Sequence, residues 1–146
     1  MRAFGIAFAG YILMFVVLFA TLTAMFFGLG SERTFLPGSY AVTPLWIVVF
    51  CFFQFDSGLV AGVVVSKLSK DRKVPLILAA MTLLSGIAMA LSAVQGTVPR
   101  DGSLTNMQVV MQAQTPAWIQ LIAPALAALG VIAGATLMSL VERRRS

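Results

Sequence analysis

Residues 43–66, TPLWIVVFCFFQFDSGLVAGVVVS, contain one acid, Asp56, and no base. An α-helix needs about 20 mainly apolar residues to cross a ~30 Å hydrocarbon core at ~1.5 Å per residue. The stretch reaches that length and is therefore predicted to span a membrane. It also has a counterpart. Residues 115–138 read TPAWIQLIAPALAALGVIAGATLM, so Thr-Pro and Trp recur at an offset of 72. Gly58 and Gly62 recur as Gly130 and Gly134 at the same offset, with Ile47 matching Ile119 and Ala61 matching Ala133.

Thr before Pro is helix-start chemistry. The hydroxyl caps orphan amides, and Pro at the first helical position lacks an N–H that would have no partner there. Trp46 and Trp118 follow two residues later and are expected at headgroup depth, where an amphipathic ring is favoured. Interface physics alone could produce that opening twice. GxxxG at the same depth in both stretches adds a second match, and it fits two antiparallel helix hairpins related as a parallel repeat. The first and third apolar blocks show no comparable match, so duplication and convergent helix design both stay open.

The rest of the chain extends the membrane reading. Of 146 residues, 60% are hydrophobic and 10% charged, and the mean hydropathy is +0.97. A soluble domain carries about 25% charged residues. Four long apolar blocks, residues 5–29, 43–66, 74–94 and 117–141, predict an all-α four-transmembrane-helix bundle in a single integral membrane domain, residues 1–146. The first block far exceeds the ~7–15 residues of a signal-peptide core and is expected to be retained. PGS at 37–39 marks a turn. The basic loop 67–73 is short, so the second and third spans are expected to be antiparallel neighbours. Between 95 and 116, Leu104, Met107, Val110 and Met111 recur at helical spacing, and Thr105 with Gln108 fits a capping box. A short outer amphipathic helix is predicted over 105–113.

Charge placement predicts topology. Eight of the ten basic residues, Arg2, Lys67, Lys70, Arg72, Lys73, Arg143, Arg144 and Arg145, fall at one set of span ends. The positive-inside rule puts those ends, and both termini, in the cytoplasm. Trp46, Trp118 and the basic residues from Lys67 onward are read as interface anchors. The net charge of +5 then serves topology and attraction to anionic lipid, with no nucleic-acid partner implied.

Inside the spans, small residues and one acid carry the information. Ala123, Ala127, Gly130 and Gly134 form a stripe at helical spacing, and with Gly58 and Gly62 they predict close backbone contact between helices. Pro124 removes one helical hydrogen bond and is expected to bend the fourth span. Asp56 lies ~20 Å below the helix start, near the bilayer middle, where a carboxyl costs roughly 2.5–3.5 kcal/mol. With no cation in any span, its neutral form is favoured and can donate a hydrogen bond. Gln54, Thr82 and Ser85, with Tyr11, are the candidate companions in an intramembrane polar site. At 100° per residue, Gly58 lies ~200° and Gly62 ~240° round the helix from Asp56. If Asp56 faces the bundle core, the glycine seam is free to meet another chain. If the seam is internal, Asp56 faces outward and requires a partner with a polar group.

Enzyme chemistry has no foothold here. The chain lacks His, and Cys51 is its only cysteine, so zinc sites, haem ligation and Ser-His-Asp sets are excluded and no metal or cofactor is expected. The succession PGSYAVTPLWIVV, KLSKDRKVPL, LTNMQ and TPAWIQLIAPALAALGVIAGA covers most of the chain and resembles a group of small bacterial four-span membrane proteins. The resemblance implies membrane location and four helices, with no activity or ligand. The expected role is an accessory or oligomer-forming helix-packing module of a bacterial cytoplasmic (inner) membrane, partnered by lipid and by itself or another membrane protein. The alternative is a minimal proton- or cation-coupled carrier or channel using Asp56.

Overall fold

The computed structural model describes residues 2–69, 71–92 and 114–144. Four long helices dominate it: α1 (Arg2–Leu29), α3 (Pro44–Ser69), α4 (Lys73–Ser92) and α5 (Ala117–Arg143), with a four-residue α2 (Ser31–Thr34) after α1. Each of the four is long and apolar enough to cross a membrane. No strand is present among the described residues, only two isolated bridges. The predicted 105–113 helix, with Leu104, Thr105, Met107, Gln108, Val110 and Met111, lies outside the described residues, as do Lys70 and Arg145.

The helices pack as a ring. α3 lies against α5 and α1, and α4 against α5 and α1. The short connection from Ser69 to Lys73 thus joins α3 to α4 but does not make them close neighbours, which corrects the expectation drawn from loop length. The reason is the glycine seam: backbone contact with α5 is available to α3 at a separation α4 cannot match. A Cβ at Gly58 would run into the carbonyl of Ala127, and one at Gly62 into that of Val131. Reciprocally, Gly130 sits against the carbonyl of Phe55 and Gly134 against that of Leu59. The contacts advance by four residues on both helices in the same direction, so α3 and α5 run parallel. In lipid such contact is held by van der Waals packing, since acyl tails are as apolar as Leu.

Two further glycines complete the ring. Gly10 on α1 faces the side chains of Val65 and Leu78, and Gly86 on α4 receives the ring of Pro124. Helix α5 continues through Pro124, whose bulk is housed by the absent side chain of Gly86. The buried core is correspondingly built of small and branched residues, among them Ala7, Ala61, Val65, Leu78, Ala127 and Val131. Large side chains such as Phe8, Phe19, Leu84 and Leu129 point out of the bundle, where a membrane would solvate them.

At one end an aromatic cap closes the bundle. The Pro37-Gly38 turn brings the chain back, with Gly38 at φ 68° and Ser39 N donating to the Leu36 carbonyl at 3.1 Å. Left-handed φ at the second central position is what a Pro-Gly turn needs. Phe26, Phe35, Tyr40, Val42 and Trp46 then pack together. Phe26 meets Phe35 and Trp46 edge-on, both at 6.2 Å between ring centroids. At the other end, Asp71 and Arg72 lie beside Glu142 and Arg143 around a groove of about 580 Å³, with Lys67, Lys73 and Arg144 exposed nearby.

Candidate functional site

The two Thr-Pro starts behave differently. Thr43 Oγ1 donates to the Arg33 carbonyl at 2.6 Å and accepts from Trp46 N at 3.3 Å, and α3 begins at Pro44. That is the expected cap. Helix α5 instead begins after Pro116, with no side-chain cap. The Gln120 side chain donates to the Thr115 carbonyl at 3.1 Å, and the Thr115 hydroxyl takes no part in starting the helix. The tryptophans diverge as well. Trp118 is 55% exposed, whereas Trp46 is 6% exposed and packed on Phe26. Trp46 therefore belongs to the aromatic cap, where it packs with Phe35 and Tyr40.

Asp56 separates from its expected companions. The seam glycines face α5, so the opposite side of α3 points away from the bundle. Val48 and Phe52, eight and four residues before Asp56, share its side of the helix and are exposed. Asp56 itself is half-buried. No hydrogen bond or ion pair joins its carboxyl group to another described residue.

Gln54, Thr82 and Ser85 do come together, with Tyr11 and with Gln120, which sequence reasoning missed. They line a half-open pocket of about 290 Å³ to which α1, α3, α4 and α5 each contribute. Tyr11 OH donates to Ser85 Oγ at 2.8 Å, and Ser85 Oγ donates to the Met81 carbonyl at 2.7 Å. Thr82 Oγ1 donates to the Leu78 carbonyl at 2.9 Å and lies 3.9 Å from Met14 Sδ. The Ser85 and Thr82 hydroxyls are thus tied to their own helix backbone. Gln54 is not: its side-chain amide has no hydrogen bond to a described residue. Pro124, also in the wall, has no N–H, so the carbonyl of Gln120 four residues earlier loses its usual helical donor. Spacing on a single helix could not have revealed Gln120, since only the ring of four helices brings it to the others.

The packing stripe divides between two tasks. Ala127, Gly130 and Gly134 contact α3, while Ala123 and Ala127 line the pocket. Among the described residues no group of three or more potential metal-ligating side chains exists. In comparisons with known proteins, no family model matches the chain, and neither does any curated protein or solved structure.

Proposed function

We propose that this protein is a membrane-embedded accessory or oligomer-forming module, which docks through the Asp56 side of α3 onto a second span. That span belongs to another copy of the chain or to a different membrane protein. The observation that carries this reading is the internal glycine seam. Because α3 uses Gly58 and Gly62 to meet α5 of its own chain, the one membrane-depth acid is left on the outer side beside Phe52. A lone carboxyl there is costly facing lipid alone, and a polar group on a partner would relieve the cost.

The carrier reading has less support. It needs Asp56 beside Gln54, Thr82 and Ser85, and the cavity those three line does not include Asp56. Charge placement supports a bacterial cytoplasmic membrane setting with both termini and the 67–73 turn inside. The parallel α3–α5 pair is what a parallel repeat of two hairpins would produce.

The test compares Asp56→Leu and Asp56→Asn in mild detergent, with mass measured by light scattering. A membrane hydrogen bond worth roughly 1–2 kcal/mol predicts that Asp56→Leu weakens association about five- to thirty-fold, while Asp56→Asn retains most of it. Unchanged association in Asp56→Leu ends the docking proposal. Proton or cation flux in proteoliposomes that vanishes in Asp56→Asn with assembly intact would favour the carrier instead.

A further inference from the structure

The half-open pocket between the four helices can do more than pack. Its walls combine the polar groups of Tyr11, Gln54, Thr82, Ser85 and Gln120 with soft apolar surface from Met14, Leu18 and Phe50. It offers about 290 Å³ and is open on one side to the outside of the bundle. No Asp, Glu, Lys or Arg lines it. A charged ligand would be desolvated there without a counter-charge, so the occupant must be neutral. Phe15 and Met89 belong to the wall and are also exposed on the outside of α1 and α4. The lipid phase therefore reaches this wall.

The hydrogen-bonding groups define the head of the ligand. The Gln54 amide offers a donor with no partner among the described residues, and the Gln120 backbone carbonyl offers an acceptor without its helical donor. A hydroxyl is the small neutral group that accepts from the first and donates to the second. We infer that the half-open pocket lined by α1, α3, α4 and α5 is a binding site for a lipid-soluble alcohol or phenol. Its hydroxyl lies between Gln54 and Gln120, and its apolar body rests against Met14 and Phe50. The inference is independent of the Asp56 docking face.

Octanol has about the size the cavity allows, and a diazirine-bearing octanol is the probe. The purified protein is photolabelled in lipid nanodiscs, and the adducts are mapped by peptide mass spectrometry. Saturable labelling of cavity residues is expected, competed by octanol and not by octane. Gln54→Leu removes one hydrogen bond and should weaken labelling about fivefold. Ala90→Phe fills the space and should abolish it. Helical circular dichroism and particle size verify that both variants stay folded; if Ala90→Phe does not, Gln54→Leu and the octanol–octane contrast decide alone. Labelling spread over outward residues such as Phe8, Phe19 and Leu84, and unchanged by Gln54→Leu, would overturn the assignment.

Discussion

The halves that begin TPLW and TPAW match in the middle of the bundle and part company at its end. At the seam they are interchangeable: Gly58 and Gly62 press on carbonyls of α5, and Gly130 and Gly134 press on carbonyls of α3. At the helix starts, one half has a Thr cap and a buried Trp, the other no side-chain cap and a Trp on the outside. The difference shows that a repeated motif keeps one structural meaning only where its surroundings repeat too. The seam is its own surroundings, because each copy packs on the other. The helix starts are not, since only the first follows a loop carrying Phe35 and Tyr40.

Three comparisons probe this contrast. The largest effect belongs to the seam. Gly62→Ile and Gly134→Ile both drive a side chain into backbone, which cannot rotate away, so each should cost about 3 kcal/mol or more, the upper end for overpacking. Unfolding in mixed micelles measures it; a large difference between the two would break the equivalence. Next, Trp46→Ala should cost about 3 kcal/mol through loss of its aromatic contacts, against under about 0.5 kcal/mol for exposed Trp118→Ala. Equal losses would mean that Trp46 does not depend on the cap. The smallest contrast is Thr43→Ala at about 1 kcal/mol, with Thr115→Ala close to silent in the same assay.

The sequence made some of this legible. Four apolar runs of sufficient length need no tertiary information, because lipid forces every backbone amide to bond within its own helix. The glycine stripe was legible too, since Gly58, Gly62, Gly130 and Gly134 announce that backbones approach. It did not say which helices meet. Small residues are as compatible with a contact between chains as within one, so the direction of Asp56 stayed open as two branches. The ring order was illegible for a related reason: the short connection from Ser69 to Lys73 limits the distance between the ends of α3 and α4, not the faces they bury. FLPGSYAV read as a turn, and nothing in its spacing told that Phe35 and Tyr40 would cover Trp46. Gly10 and Gly86 stood outside any motif, the first matched to Val65 and Leu78 on two other helices and the second to Pro124.

One modest contact has mechanical weight. Val42 N donates to the Gln114 carbonyl at 3.3 Å, and Gln114 N donates to the Tyr40 carbonyl at 2.9 Å. These two rungs fasten the leader of α3 to the leader of α5, just above where both rods enter the bundle. Sliding one rod past the other by a helical turn, ~5.4 Å, would tear both rungs and jam each glycine notch against the next side chain. The α3–α5 pair is therefore a keel of fixed register, and any breathing of the bundle falls to the planks on either side, α1 and α4.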